Sequence, residues 1–222
     1  MLTNTQINDF INEVTTAYNK AAHLITEDTI RSLLIKAMKV PVSDIEIEVP
    51  YVVNSGRKTN GKKNYTPIKA LKPTWFNSER NRADIYYSTD DMVIEVKYHR
   101  ETPYSANCTT SKVGAVFNDF NRLSVIHNKE KLLVYVFDNA MKKYFDKSSR
   151  KFTDILKGNA QNQTYTIDKA YDSIPQDAKN NAFRSFAVNS FGAFHAYQVK
   201  GLFYKTYSVN GHQFTCAIVQ VL

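Results

Sequence analysis

The sequence predicts an α/β domain in which helices and strands are interleaved and a β-hairpin lies near the C-terminus. Apolar residues recur at helical spacing within the first 40 positions, and alternating or continuous apolar runs follow between 45 and 137. Asn210-Gly211 lies between two apolar runs, a strong hairpin signal. Of the 222 residues 43% are apolar and 23% charged, which excludes general disorder and provides enough apolar side chains for a buried core.

Two helices are predicted first. Apolar residues at positions 7, 10, 11, 14 and 18 indicate an amphipathic helix over 5–20. A second helix is expected from Glu27 to Lys39, with Thr26 as its N-cap and the acids of the first turn complementing the helix dipole. The strict alternation that begins at Ile45 predicts a strand reaching Val53.

The middle and the end of the chain contain the remaining predicted elements. Two strands joined by a tight turn at Thr89-Asp90 are followed by a helix and by a continuous apolar run typical of a strand covered on both faces. Beyond Asp138 the signals are weaker, and 177–194 fits helix and strand equally. The predicted ranges are strands 83–88 and 92–99, helix 111–127, strand 131–137, helix 141–157, and strands 163–167, 195–207 and 213–221.

The positive charge is concentrated in one segment. The net charge is +8, and residues 1–48 have a net charge of −3 whereas 49–82 have +7. Asn-Gly and Pro residues within 54–82 indicate a long basic loop. This charge favours a polyanionic partner, nucleic acid first and an anionic membrane surface second, although a solvated loop that binds nothing is the alternative. The candidate DNA-binding cations are Arg57, Lys58, Lys62, Lys63, Lys69, Lys72, Arg80 and Arg82.

Several classes of protein are excluded by composition and motifs. No apolar run approaches the ~20 residues of a membrane-spanning helix, and residues 1–9 lack the pattern of a secretory signal, so we expect a cytoplasmic protein. Two cysteines, Cys108 and Cys216, exclude a disulfide framework and a cysteine-rich zinc site. Glycine-rich phosphate loops, His-Glu-x-x-His, Cys-x-x-Cys and Gly-x-Ser-x-Gly motifs are absent from the sequence.

The hairpin of residues 83–99 contains the candidate chemistry. In an antiparallel pair centred between Thr89 and Asp90, facing residues have numbers that sum to 179, so Asp84 faces Glu95. Lys97 projects to the same face. Two carboxylates this close repel each other unless a cation lies between them, and Mg²⁺ suits such hard oxygen ligands.

Asp84, the hairpin and the triplet Glu95-Val96-Lys97, in the order helix, three strands, helix, strand, resemble the PD-(D/E)xK nuclease superfamily over residues 26–138. Ala83 stands where the family motif has its nominal Pro. The resemblance implies a restriction-endonuclease-like core (α-β-β-β-α-β), with a mixed central sheet flanked by helices. We expect one domain over 1–222, with the basic loop inserted at 54–82 and a C-terminal extension at 139–222.

The resemblance also implies roles for individual residues. Asp84, Glu95 and the backbone carbonyl of Val96 would hold Mg²⁺, for which Mn²⁺ can substitute, and Lys97 would orient or help deprotonate a metal-bound water. Glu27 matches a further acid that family members often have on the preceding helix. Alternatively, Asp84 and Glu95 form a surface cluster neutralised by Lys97, and Glu27 only satisfies the helix dipole.

Other polar residues near the hairpin have more ordinary interpretations. His99 continues the face of Lys97 and Tyr86 shares the face of Asp84, but structural roles are favoured for both. We interpret Asp119 and Arg122 as an exposed pair on the helix after the hairpin. Lys112 is a candidate phosphate contact.

The predicted function is a Mg²⁺-dependent DNA endonuclease, first of all a type II restriction-like enzyme acting as a homodimer. The alternatives within the class are a phage or plasmid recombination nuclease, a junction resolvase and a repair nuclease. A non-catalytic DNA-binding protein on the same scaffold and a protein–protein interaction module are the alternatives from other classes.

Overall fold

The computed structural model describes residues 1–50, 54–55, 65–66, 82–100, 109–124, 126, 128–146, 152–157, 164–167 and 196–222. Most of the predicted basic loop and the ambiguous segment 177–194 lie outside the described residues.

The described helices and strands follow the predicted order with two differences: two short strands lie within the predicted loop 54–82, and the range 141–157, predicted as one helix, contains two. The helices are α1 (Asn4–Ala21), α2 (Glu27–Met38), α3 (Thr109–Ser124), α4 (Asn139–Phe145) and α5 (Phe152–Lys157). The strands are β1 (Ile45–Pro50), β2 (Asn54–Ser55), β3 (Tyr65–Thr66), β4 (Arg82–Tyr87), β5 (Met92–His99), β6 (Glu130–Asp138), β7 (Thr164–Ile167), β8 (Tyr197–Val209) and β9 (His212–Val221).

Seven of the strands form one mixed sheet in the order β1-β4-β5-β6-β9-β8-β7. β5 and β6 are parallel, and the other described neighbours in this sheet are antiparallel. β2 and β3 form a separate antiparallel pair. The predicted α/β class is therefore confirmed. Apart from β2 and β3, which lie between β1 and β4 in the chain, the elements from α2 to β6 have the predicted helix, three strands, helix, strand order.

The first two helices begin at capping boxes. Thr3 Oγ1 accepts a hydrogen bond from the Gln6 backbone N–H at 3.2 Å, and Gln6 Oε1 accepts one from the Thr3 N–H at 2.9 Å. Thr26, the predicted N-cap of α2, exchanges the same pair of bonds with Thr29, each at 3.2 Å. These bonds satisfy backbone donors that the first turn leaves without partners, so they fix where each helix starts.

The sheet has a hydrophobic core on each face. On one face, α1 and α2 pack Phe10, Ile30 and Leu34 against alternate residues of β5 and β6 such as Ile94 and Val134. On the other face, α3 packs its apolar side chains over the intervening residues: Phe117, Phe120, Val93, Leu133 and Tyr135 belong to this second cluster. β6 is therefore covered on both faces, as its continuous apolar run predicts.

The C-terminal hairpin is an integral part of the sheet. Asn210 and Gly211 both have positive φ (48° and 79°), the conformation that a tight two-residue turn requires and that glycine adopts without strain. β9 pairs with β6, so that Ile218 faces Val134. The predicted hairpin is confirmed at its predicted place, but it differs from the expected extension because it completes the central sheet. The weak signals near 141–157 and 163–167 correspond to α4, α5 and β7.

Among the helices of the described residues, none combines the length and the apolar character needed to cross a bilayer.

Candidate active site

The β4–β5 hairpin has the predicted register. Ile85 pairs with Ile94 and Tyr86 with Val93, so facing residues sum to 179. One step further along, the Asp84 carboxylate accepts a hydrogen bond from the Val96 backbone N–H, with an Oδ2–N distance of 2.7 Å. The side chain of Asp84 is thus held against β5 beside Glu95.

Arg31 of α2 neutralises Asp84. Its guanidinium lies 3.0 Å from Asp84 Oδ1 and 3.3 Å from Asp28 Oδ1, and it also forms an ion pair with Glu48 of β1. The Arg31 side chain is 13% exposed and that of Asp84 12%. Ion pairs removed from water to this extent are screened less than surface pairs, so Arg31 is a strong counter-ion for Asp84.

Arg122 of α3 neutralises Glu95 from the opposite face of the sheet. Arg122 Nη2 lies 3.0 Å from Glu95 Oε1 and also donates to the Arg82 backbone carbonyl, while Nη1 is 3.4 Å from Asp119 Oδ1. Glu95 is 2% exposed. Burial raises the pKa of Glu95 well above its usual range, Arg122 acts in the opposite direction, and the negative charges of Asp119 and Asp84 add to the increase.

Lys97 lies between two acids contributed by different helices. Its Nζ is 3.4 Å from Glu27 Oε2 on α2 and 3.4 Å from Asp119 Oδ2 on α3. Glu27 Oε2 also accepts a hydrogen bond from the Tyr98 backbone N–H at 3.2 Å. Burial alone would lower the pKa of Lys97, but Asp119, Glu27 and Glu95 raise it by more, so the pKa lies above its usual value and the ammonium is the form held in this site.

The charges of this cluster do not balance. Four carboxylates converge with the guanidinium groups of Arg31 and Arg122 and the ammonium of Lys97, which leaves one excess negative charge before Glu48 and Asp28 are counted. The four acids are Glu27, Asp84, Glu95 and Asp119. Burial also raises the pKa of Asp119, and its Oδ2 atom makes no hydrogen bond of ordinary geometry. The three acids that are largely buried, Asp84, Glu95 and Asp119, are matched by the three cations, and the excess charge belongs to Glu27, whose side chain is 36% exposed.

His99 is part of the packing beside the cluster. Its Nδ1 is 2.9 Å from the Tyr135 hydroxyl, and the two rings meet edge to face. Burial, together with the charges of Lys97 and Lys112, lowers the pKa of His99 to about 3. The structural role favoured for His99 agrees with these contacts.

The remaining residues that the sequence singled out are Lys112, Tyr86 and the candidate DNA-binding cations. Lys112 Nζ donates to the Arg100 carbonyl at 2.8 Å, and the Tyr86 hydroxyl donates to Asp91 at 3.3 Å. Arg82 begins β4 and is exposed. The remaining candidate DNA-binding cations, Arg57, Lys58, Lys62, Lys63, Lys69, Lys72 and Arg80, lie outside the described residues.

The interpretation of Asp119 and Arg122 as an exposed pair is wrong. The two side chains do pair, but Asp119 is 2% exposed and points toward Lys97, and Arg122 is largely buried against Glu95. The physical reason is the helical position of Asp119, three residues after Val116 and four before Leu123, which both face the sheet. Asp119 is a carboxylate within the apolar stripe of α3, and this position was the sequence signal that could have placed Asp119 in the site.

Arg31 is the other residue that sequence reasoning did not assign to the site. It is four residues after Glu27 on α2, so the two side chains share one face of the helix. Arg31 takes part in the site through its ion pairs with Glu48 of β1 and Asp84 of β4. No pattern in the local sequence predicts these contacts.

Comparisons of the chain with protein-family models, with curated proteins and with solved structures gave no match. The case for a function therefore depends on the residues and their geometry.

The predicted magnesium ligands fit the metal by chemistry but are engaged by cations. Asp84 and Glu95 supply hard carboxylate oxygen atoms, which Mg²⁺ prefers. Within the described part of the chain, no three Asp, Glu, His or Cys side chains are grouped so that they could hold a metal. The predicted set needs only two side chains with the Val96 carbonyl, and both of these side chains are paired with arginine.

Proposed function

We propose that this protein is a Mg²⁺-dependent DNA endonuclease built on a restriction-endonuclease-like core. The observation that carries the proposal is the grouping of Asp84, Glu95 and Lys97 on two adjacent strands, with Glu27 and Asp119 reaching Lys97 from helices on opposite faces of the sheet. Burying the charges of Asp84, Glu95, Lys97 and Asp119 is costly, since each of these side chains is at most 17% exposed. Such a cluster is more readily explained by chemistry than by stability.

The contacts suggest what each residue would contribute. Asp84, Glu95 and the Val96 carbonyl would hold Mg²⁺, which when bound polarises a phosphodiester and lowers the pKa of a water molecule. Lys97, kept as an ammonium by Glu27 and Asp119, would offset negative charge that builds on the phosphate during hydrolysis. Its raised pKa favours this electrostatic role over the role of a general base.

The attachment points of the basic segment support DNA as the substrate. Residues 49–82 contain eight Lys and Arg against one acid. Pro50 of β1 and Arg82 of β4 lie at the two ends of this segment, and they pair with each other two positions from Asp84. The densest positive charge of the chain is therefore tethered at both ends beside the candidate site, where it can attract a phosphate backbone.

Within the nuclease class we favour a type II restriction-like enzyme. The resemblance carries this part of the proposal, together with its homodimer, since such an enzyme cuts both strands. Recombination, junction-resolving and repair nucleases would use the same chemistry on other DNA structures.

The test is cleavage of phage genomic DNA, supercoiled plasmid and a four-way junction with Mg²⁺, with Mn²⁺ and with EDTA. We expect metal-dependent products that fall by about 10²–10³-fold in the Lys97→Ala variant, since one preorganised charge at the phosphate contributes on this order. Lys97→Met, which keeps most of the side-chain volume, is the second variant. Lys36→Ala on α2 is the matched control, because the Lys36 side chain is 67% exposed and its ion pair is with Glu13 of α1.

The products distinguish the candidates. Discrete fragments of genomic DNA indicate a restriction-like enzyme, and cleavage of the junction alone indicates a resolvase. Cleavage that survives EDTA, or that Lys97→Ala leaves unchanged, would contradict the proposed site.

A non-catalytic DNA-binding protein on the same scaffold is the second candidate. It is favoured by the arginine partners of Asp84 and Glu95, which satisfy both carboxylates without a metal. Salt-sensitive DNA binding with no cleavage by any divalent metal would select it.

A further inference from the structure

The two predicted metal ligands are each bound by an arginine from a different helix. Arg31 of α2 lies 3.0 Å from Asp84 Oδ1, and Arg122 of α3 lies 3.0 Å from Glu95 Oε1. All four side chains are between 2% and 15% exposed. Each guanidinium group therefore occupies a carboxylate oxygen atom that a bound cation would need.

We infer that Arg31 and Arg122 compete with a divalent cation for Asp84 and Glu95, and so set the metal affinity of the site. This inference rests on the proposed metal site and concerns two residues that the family motif does not contain. A carboxylate oxygen that accepts a guanidinium N–H in the plane of the group has less electron density to offer a metal. The positive charge of the guanidinium also repels the incoming ion.

The arginines have alternative partners that would hold them once the carboxylates bind a metal. Arg31 also forms ion pairs with Glu48 and Asp28, neither of which belongs to the predicted metal set. Arg122 also contacts Asp119 and the Arg82 backbone carbonyl. Each guanidinium can therefore release its metal-ligand oxygen without becoming a buried charge with no partner, which would be strongly unfavourable.

The test measures Mn²⁺ binding directly, by the electron paramagnetic resonance signal of free Mn²⁺ and by calorimetry. The proteins are the wild type, Arg31→Gln and Arg122→Gln. We expect each variant to bind Mn²⁺ about tenfold more tightly or more, since an opposite charge this close changes the cation affinity of a carboxylate by at least that factor. Lys36→Gln is the matched control: it removes one positive charge from the same helix, α2, at an exposed side chain whose Nζ lies 2.8 Å from Glu13 Oε1, and it should bind Mn²⁺ as the wild type does.

Two further measurements attribute the gain to the carboxylates and guard against unfolding. Adding Asp84→Asn to Arg31→Gln should abolish the gain, because the ligand that Arg31 releases is gone. In the wild-type protein, phenylglyoxal labelling followed by mass spectrometry should modify Arg31 and Arg122 faster when Mn²⁺ is bound. This second readout uses only the wild-type protein, so it does not depend on the folding of any variant. Circular dichroism checks that the variants used in the binding measurements are folded.

The outcomes separate this inference from the proposed function. Tighter Mn²⁺ binding by the variants supports the arginine role even if no protein cleaves DNA. Equal Mn²⁺ affinity in wild type and folded variants, or unchanged arginine labelling in Mn²⁺-bound wild type, overturns the arginine role and leaves the nuclease proposal standing. Absence of Mn²⁺ binding in every protein overturns both.

Discussion

His99 lies two residues beyond Lys97 on β5, where burial and the nearby positive charges of Lys97 and Lys112 lower its pKa. Its pKa is lowered to about 3 from an ordinary value of 6.5. Between these two pH values the unfolded chain binds a proton that the folded protein does not. The folded state therefore loses stability as the pH falls from about 6.5 toward about 3, and this loss is absent above the unfolded value.

Replacing His99 should remove that part of the pH dependence. As the pH falls through this window, the unfolding free energy of His99→Asn should rise relative to that of the wild type, by at most about 1.4 kcal/mol per pH unit. Urea denaturation between pH 4 and pH 7 measures it. His212→Asn, at the exposed end of the C-terminal hairpin, is the control. A His99→Asn difference that stays constant across this range would show that His99 titrates normally.

At the scale of elements, α2 supplies two of the charged groups of the candidate site. Glu27 in its first turn reaches Lys97, and Arg31 one turn later reaches Asp84. The Thr26–Thr29 capping box fixes the first turn. The stability of the helix start and the position of Glu27 are thereby linked.

Removing the cap should destabilise the protein modestly. Thr26→Ala deletes the acceptor of the Thr29 N–H and should cost about 1 kcal/mol of unfolding free energy. Thermal and urea denaturation measure the change. Thr16→Ala is the matched control, because Thr16 is exposed within α1 and donates only to the Asn12 carbonyl, so Ala should be neutral or slightly stabilising there. A cost at Thr16 equal to that at Thr26 would refute the capping explanation.

At the scale of the whole molecule, the C-terminal hairpin holds the centre of the sheet together. β9 lies between β6 and β8, and its inward residues contribute to the cores on both faces. Segments far apart in the sequence thus pack together: Tyr18 of α1 stacks on Phe214 of β9, with ring centroids 4.5 Å apart.

A large-to-small substitution in β9 should therefore be costly. Ile218 is fully buried and pairs with Val134 on β6 and Phe203 on β8. Ile218→Ala should lower the unfolding free energy by about 2–5 kcal/mol, through lost burial and the cavity that remains. Leu24→Ala, at a side chain that is 65% exposed, should change it little. Urea denaturation measures both variants. If Ile218→Ala lowers the unfolding free energy as little as Leu24→Ala does, β9 is not an integral part of the sheet.

The charge distribution of the whole chain predicts salt-dependent DNA binding. Each phosphate contact should contribute about −0.9 to the slope of log affinity against log salt concentration. Replacing Lys58, Lys62, Lys63 and Lys69 by Gln should make that slope shallower, as filter binding from low to high salt would measure. Replacing Lys20, Lys36 and Lys142 of the described helices together with Lys39, which directly follows α2, serves as the charge-matched control. An equal change in both proteins would indicate non-specific attraction rather than a contact surface in the basic segment.

The sequence by itself determined the elements and the hairpin register. Periodicity located α1, α2, β5, β6 and the C-terminal hairpin because amphipathic spacing, capping residues and turn chemistry act over a few neighbouring residues. The same local rules placed Asp84 beside Glu95, since the register of a tight hairpin follows from its turn.

Tertiary structure alone decided how the site is neutralised and where β9 lies. Arg31 meets Asp84, and Lys97 meets Asp119, across sequence separations that no local pattern encodes. Asp119 is buried because α3 packs against the sheet, which turns a helix pair that local reasoning placed in solvent into part of the charged cluster. β9 joins β6 because an apolar strand with two buried faces needs a neighbour on its open edge, and only the folded chain shows which strand supplies it.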